Sequence, residues 1–472
     1  MTKADGVPLM EESSKHYSAS KNKKSNLTGF ILIWVGQFFS MTGSFMTSFA
    51  LAIWAWEKTG SAQALAMVGV FTYAPLIIVT PFVGVLVDRW NRKLVMMLSD
   101  LGAVLASCVV FVLFLSGELE IWHIYATTAF ASAFQAFQWP AYSASVSLMV
   151  PKKHYSRASG LISMVESTSN IVGPVLAGAV IGSIGVKGIL IIDILTFFLA
   201  IVTLLVVFIP QPNTQPLKLN IQQFWADMTY GFHFIFRKPG LLGLQLVFFG
   251  ANFMTVIAWA VVSPMVLART GGDAQILGLV QSFAAFGGLM GAIFLTVWGG
   301  PKKLVWGVLI GWVLSGLLGR LLMGISQDPL LWILSAFLLA FFMPTVNGCN
   351  QVIWQRKVPP EKQGRVFSVR RFIAQITIPV SMWISGWLAD HFFEPAFTAD
   401  EGWGTRFFSS IFGSGEGAGL SMIIAISGVM VVLVGLLGFT NQEILCVESK
   451  LPDYDDEVEP QETSDDRIVE MN

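Results

Sequence analysis

The sequence predicts an all-α membrane protein, with twelve transmembrane helices in two pseudo-symmetric six-helix bundles. Hydropathy, charge placement and an internal repeat carry that prediction. Of the 472 residues, 54% are hydrophobic and 12% charged, with a mean hydropathy of +0.65, so the bilayer is the solvent. A helix needs about 20 mainly apolar residues to cross ~30 Å of hydrocarbon. Twelve stretches satisfy this: 27–54, 65–87, 94–116, 121–149, 158–184, 188–209, 240–268, 276–298, 303–324, 330–354, 366–391 and 418–440. A β-barrel would instead alternate apolar and polar residues in segments of about ten.

The charges are sorted by loop. Five Lys or Arg precede the first span; every second connection then carries three, three, three, two and six, and the C-terminal tail two, together 24 of the 29. The intervening connections hold only Lys58, Lys187, Arg269 and Arg406, and Arg320 falls inside a span. The positive-inside rule therefore places both termini in the cytoplasm, as an even number of spans requires, in a plasma (inner) membrane. Because the charges are segregated, the net charge of −1 identifies no partner. Residues 1–26 contain no short apolar core followed by a small-residue cleavage site, so the first span is expected to be its own insertion signal.

The repeat divides the chain. Val150-Pro151 is followed by Arg157 after the fourth span, and Val358-Pro359 by Arg365 after the tenth, an offset of 208 residues. Repeated halves with a substrate site between them are a common construction of secondary transporters. The expected organisation is a cytoplasmic tail (1–26), a first bundle (27–209), a cytoplasmic linker (210–239), a second bundle (240–441) and an acidic, disordered cytoplasmic tail (442–472). Within the linker, Phe224, Trp225, Met228, Phe232, Ile235 and Phe236 form a helical stripe suited to the membrane surface. From Glu448 onward the tail is acidic with little apolar surface to bury.

The most specific motif is Gly84-Val85-Leu86-Val87-Asp88-Arg89-Trp90-Asn91-Arg92-Lys93, between the second and third spans. Gly84 permits close helix approach, and Asp88 can accept from the donor-rich N-terminus of a neighbouring helix and from a guanidinium. Such a cluster latches one closed state and opens in the other. An ordinary positive-inside turn would explain Arg89, Arg92 and Lys93 but neither Asp88 nor Gly84. The stretch resembles the signature loop of the major facilitator superfamily, matching Gly-x-Leu-x-Asp-Arg-x-x-Arg-Lys throughout.

Within that superfamily, Trp34-Val35-Gly36-Gln37, Ser40 through Gly43-Ser44, Lys58 through Ala62, Asp100-Leu101 and Gly364 through Ser368 resemble the drug-exporter branch of macrolide-efflux and siderophore-export proteins. The resemblance implies export of a small molecule coupled to an ion gradient, usually protons. It leaves the substrate open, since related branches move siderophores, antibiotics and lysophospholipids; a lysophospholipid-flipping transporter is the alternative. In the fifth span Gly173-Pro174 and Gly178 are similar to the exporters' glycine-proline motif, with a gating and a purely structural role evenly matched. The chain departs from the family at Gly299-Gly300-Pro301-Lys302-Lys303, which lacks the Asp-Arg pair, and at Ala131, where many proton-driven relatives place an Arg.

Ionisable residues inside spans are costly and so are functional candidates. Glu166 lies about 13 Å from the nearer end of the fifth span at 1.5 Å per residue, with Asn170 one turn on, and is the leading proton carrier; a structural hydrogen bond is an equal alternative. Asp100 and Asp193 are the next candidates, although an ion pair of Asp100 with Arg89 or Arg92 and a structural role for Asp193 are expected first. Arg320 is placed where it could snorkel to the surface. For the substrate, amides and aromatics gather in the first, fourth, seventh and tenth spans: Gln37; Gln135, Gln138 and Trp139; Asn252 and Trp259; Asn347, Asn350, Gln351 and Trp354. They suit a bulky, amphipathic, weakly charged ligand, although part of the set is expected to be interhelical glue.

Enzymatic motifs do not occur: the five His are scattered, and H-E-x-x-H, Gly-x-Ser-x-Gly and the phosphate loop are missing. Cys108 and Cys349 fall in spans and Cys446 in the tail, so neither a disulfide framework nor a metal site is expected. No cofactor and no nucleic-acid partner is implied; the expected partners are a small-molecule substrate, a coupling proton and the lipid bilayer.

Overall fold

The computed structural model describes residues 27–89, 91–150, 155–209, 221–398, 402–451 and 453, and the fold is all-helical over them. Four spans occupy the first part of the chain: α1 (Leu27–Thr59), α2 (Ala62–Arg89), α3 (Arg92–Ser116) and α4 (Ile121–Met149). The helical stretch Tyr155–Val206 is two spans, because Gly185 sits at φ 65° and ψ −177° and reverses the chain. Only glycine adopts that φ without steric cost. Its arms are α5 (155–184) and α6 (186–206). The second half supplies α7 (Pro239–Thr270), α8 (Ala274–Trp298), α9 (Leu304–Ile325), α10 (Pro329–Lys357), α11 (Pro360–Leu388) and α12 (Ala418–Thr440). Among the described residues ten helices are long and apolar enough to cross a membrane, with Thr168–Val206 counted once. Splitting that helix at Gly185 and adding the 29-residue α4 gives the twelve.

Helix starts are set by local chemistry. Asn91 accepts from Leu94 N at the head of α3, Asp273 from Gln275 N and Ile276 N at α8, and Asp328 from Leu330 N at α10. Each satisfies donors that a helix N-terminus leaves orphaned. α9 is not a plain α-helix: Ser315–Leu321 forms a π-helical segment, a departure found at functional positions.

Two seams join the bundles, α2 against α11 and α5 against α8. A shift of six spans exchanges them, as a pseudo-two-fold relation requires. The apolar core shows where the bundles are closed. Towards the face bearing Lys58, Lys187, Arg269 and Arg406, the charge-poor face, one cluster runs continuously through Phe49, Ala177, Met265, Leu277, Trp332 and Leu420, from both bundles. Towards the charge-rich face the described core separates. One cluster belongs to the first bundle alone (Phe30, Met96, Tyr142, Leu204), and the other to the second alone (Leu241, Trp312, Ile353, Trp354).

The terminal segment departs from expectation over its first ten residues. Rather than being disordered, Gln442–Leu445 and Val447–Lys450 are helical turns. Glu448 accepts from Leu304 N and Val305 N at the start of α9, both at 3.1 Å. Lys357, itself buried, donates to Glu448 O and Leu451 O and pairs with Asp453 at 2.7 Å. Orphan helix donors and a buried ammonium both need acceptors, and this acidic segment supplies them. Residues 454–472 and the tail 1–26 lie outside the described residues, as does 210–220 of the linker; Ile221–Phe236 is a helix.

Candidate functional site

In the first bundle, small residues of α1 bring α6 close. A Cβ on Gly36 would lie 2.4 Å from Thr203 Oγ1, and one on Gly43 would lie 2.4 Å from Thr196 Oγ1 and 3.2 Å from Asp193 Cα. The approach leaves a polar cavity of about 240 Å³ among α1, α3, α4 and α6, lined by Gln37, Ser44, Asp100, Ser107, Gln135, Gln138 and Asp193. Asp100, 4% exposed, accepts from Gln37 Nε2 at 3.3 Å and Gln138 Nε2 at 2.9 Å. Gln138 Nε2 also reaches Gln37 Oε1 at 3.1 Å, closing a triangle of two amides and a carboxyl. Asp193, 1% exposed, accepts from Ser107 at 2.8 Å and Ser44 at 3.3 Å.

Among the described residues both aspartates have neutral partners, and Asp100 does not make the ion pair expected with Arg92; the side chain of Arg89 lies outside the described residues. The cause is geometric: α3 turns Asp100 towards α1 and α4. Asp193 is buried beside the same cavity, where α1 approaches α6.

The second bundle contains a cavity of about 360 Å³ lined by Gln245, Asn252, Asn347, Gln351, Arg370 and Arg371. The sequence singles out Asn252, Asn347 and Gln351 but misses Gln245 and the two arginines. Arg370 donates to Gln351 Oε1 at 3.0 Å, and its guanidinium lies 5.3 Å from the Trp354 ring centroid and 5.9 Å from that of Phe367. Asn350 and Trp354 do not line this cavity: both are buried, and Trp354 Nε1 donates to Asn350 Oδ1 at 3.0 Å. Their side of α10 packs into the second-bundle core, where a polar pair must satisfy itself. Trp259 is partly exposed and lines neither cavity.

Arg320 does not snorkel. It is 0% exposed, donating to Ser315 Oγ and Thr255 Oγ1, both at 2.7 Å. The π-helical segment of α9 turns it into the bundle, and its Nε has no partner among the described residues.

A cavity with polar lining in each six-helix bundle, with paired seams between the bundles, fits the repeated construction of secondary transporters. The Major Facilitator Superfamily profile matches residues 33–382. The chain belongs to this superfamily. It is a transporter, not an enzyme. Among curated relatives it is 27% identical over 370 residues to macrolide efflux protein A of Streptococcus pyogenes, covering 76% of this chain and 89% of that one. It is 24% identical over 340 residues to the multidrug efflux pump Tap of Mycolicibacterium fortuitum, covering 71% and 82%. Among solved structures, a bacterial homologue of the human lysosomal transporter Spinster superposes with a TM-score of 0.62 at 16% identity, covering 90% of this chain and 98% of that one. The nucleoside transporter NupG superposes with a TM-score of 0.61 at 12% identity, covering 87% and 100%. These two show the fold.

In this major facilitator the side chains of Gly84, Asp88 and Arg89 of the signature loop, of Trp139, and of Glu166 lie outside the described residues. Lys93 is described, and its ammonium donates to Leu205 O and Val207 O at 2.9 Å each. A cation there complements the exposed carbonyls ending α6, so Lys93 ties α3 to α6 within the first bundle. Arg92 is described as partly buried.

The fifth-span motif sits on a seam. A Cβ on Gly173 would lie 2.5 Å from Phe45 Cβ, and one on Gly178 would lie 3.0 Å from Ala274 O of the other bundle. On α8, Gly278 meets Pro174 O at the same 3.0 Å, and Ser282 donates to Ile171 O at 2.9 Å. The glycines let the two backbones touch.

The second seam of the transporter is fastened by a residue the sequence reading passed over. After α11 a π-helical turn, Ala389–Phe393, presents Asp390 to the start of α2. Its carboxylate accepts from Ala62 N and Gln63 N at 3.0 Å each and from Ser61 Oγ. One bundle thus caps a helix of the other.

Proposed function

We propose that this transporter exports a small amphipathic molecule, such as a drug, a macrolide-like compound or a siderophore, by alternating access coupled to proton antiport. The observation that carries the proposal is the pair Asp100 and Asp193: two membrane-buried carboxyls beside one cavity, held by amides and hydroxyls. A carboxylate charge in the bilayer is costly, and neutral donors offset only part of that cost. Each group therefore needs a proton, a cationic part of the cargo or water as its companion, and exchanging the first for the second is antiport. Glu166 remains a third carrier candidate. With the charge-rich face in the cytoplasm, a shared core at the charge-poor face leaves the transporter closed to the outside, the state in which an exporter loads. The efflux roles named for its relatives support the direction.

The test is accumulation of a fluorescent amphipathic drug in inside-out vesicles with an imposed pH gradient. A protonophore is expected to abolish transport by the native chain. Asp100→Asn and Asp193→Asn, which keep shape and remove the titrating group, are expected to bind the drug but lose gradient-driven transport. Full gradient-driven transport by both variants and by Glu166→Gln would refute the proton reading. Orientation is checked separately: single cysteines at Glu118 and Asn213 should react with an impermeant maleimide from opposite sides of the membrane, and reaction from one side overturns the topology.

A further inference from the structure

The second-bundle cavity has the opposite polarity to the first. Amides and two guanidinium groups line it, and no carboxylate is among its described lining. Neither Arg370 nor Arg371 has a carboxylate within ion-pairing distance among the described residues.

A basic residue at the charge-rich end of a span ordinarily reaches out to the headgroup layer. Arg370 does the reverse, stacking over the fully buried Trp354 and giving one donor to Gln351. A guanidinium has five N–H donors, and stacking between rings fixes its plane while leaving its edges available. Gln245 is an independent sign that the cavity is built for a polar ligand. It is 3% exposed, lines the cavity, and its carbonyl oxygen is buried without a partner among the described residues. Unpaired guanidinium donors beside an unpaired amide acceptor match a ligand that carries an oxyanion and a neighbouring hydroxyl. Phe248 and Ala374 supply apolar wall.

We propose that this cavity is an oxyanion site, taking the phosphate or carboxylate end of the transported amphiphile, with Arg370 and Arg371 as its cationic arms. The inference rests on the export reading, because it assigns an anionic end of that cargo; it is tested by binding, so the two can fail separately.

Full-length protein in phosphatidylcholine nanodiscs would be titrated calorimetrically with hexyl phosphate, inorganic phosphate and hexyltrimethylammonium. Hexyl phosphate is expected to bind and Arg370→Gln to weaken it by about 10- to 100-fold, the range for losing a hydrogen bond to a charged group, while any binding of the ammonium probe, which the first-bundle carboxylates would hold, should not change in Arg370→Gln. Arg371 is exposed, so Arg371→Gln disturbs no packing and should weaken binding even if Arg370→Gln does not fold. Inorganic phosphate binding as tightly as hexyl phosphate would identify a free anion as the ligand and uphold the site; much tighter binding of hexyl phosphate identifies a headgroup. Equal affinity of the two arginine variants and the native chain for hexyl phosphate, or an equal weakening of the ammonium probe by Arg370→Gln, overturns the proposal. Loss of efflux with hexyl phosphate binding intact would instead count against the export reading.

Discussion

Asp390→Ala is expected to open the charge-poor face. The native carboxylate accepts two backbone N–H groups and a hydroxyl from the first turn of α2, and all three contacts cross from one bundle to the other. Hydrogen bonds to a charged acceptor contribute about 1.5–3 kcal/mol, and a carboxylate at a helix N-terminus gains a further ~0.3–1 kcal/mol from the dipole. Some of this is recovered when water solvates the freed groups, so a net shift of about 2–3 kcal/mol is reasonable, roughly 30- to 150-fold in the ratio of closed to open states. Ser282 reports the opening. It is buried at the other seam, and a cysteine there, with Cys108, Cys349 and Cys446 replaced, should react with an impermeant maleimide faster by that factor in the Asp390→Ala background. Asp390→Glu should fall between, because the longer arm keeps the charge and loses the fit. An unchanged labelling rate would mean that Asp390 merely caps α2 and does not hold the bundles together.

The signature loop places Asp88 at the opposite end of the same helix pair. α2 and α11 run antiparallel, so the C-terminal end of each lies near the N-terminus of the other. Asp390 at the end of α11 caps α2 at one face, and Asp88 belongs to the last turn of α2 at the other.

Span number was legible because it rests on long-range composition: twenty apolar residues are a signal that no tertiary contact is needed to interpret. The cavity was legible only in part, and α10 shows why. Asn347, Asn350, Gln351 and Trp354 share a helical face by spacing, yet the adjacent Asn350 and Gln351 point about 100° apart, enough to put one in the core and the other in the cavity. Inside a bilayer the lipid face and the core face are both apolar, so polarity alone does not separate them. Arg370 and Arg371 were hidden by the charge sorting, since any basic residue at that end fits the positive-inside rule. Asp100 and Asp193 were visible as costly charges, but their common cavity depends on the approach of α1 to α6 at Gly36 and Gly43, which only packing reveals.

Gly291→Val is expected to cost the second bundle its folded state or much of its thermal stability. α8 carries Gly287 and Gly291 four residues apart, and α10 faces them with Phe337 and Phe341 at the same interval. A Cβ on Gly287 would lie 2.2 Å from Phe337 O, and one on Gly291 would lie 2.0 Å from Phe341 O. The obstacle in each case is backbone carbonyl oxygen, so no rotamer change relieves it and one helix must move. Overpacking costs about 1–3 kcal/mol even where side chains can adjust, which implies a drop in apparent Tm on the order of 5 °C or more. Phe286–Phe337 and Phe294–Phe341 ring contacts at 6.0 and 5.5 Å interleave along the same line, so separation also forfeits their packing. Gly288 is the internal control: a Cβ there meets nothing within 4 Å, and Gly288→Ala should hold or slightly raise the Tm through reduced freedom of the unfolded chain. Thermal unfolding in detergent by light scattering compares the three proteins, and a Gly291→Val variant as stable as the native chain would mean that α8 and α10 do not meet backbone to backbone. Efflux should fall further than stability alone requires, because α8 carries the seam residues Gly278 and Ser282 while α10 carries the cavity amides Asn347 and Gln351, and a displaced contact misplaces both.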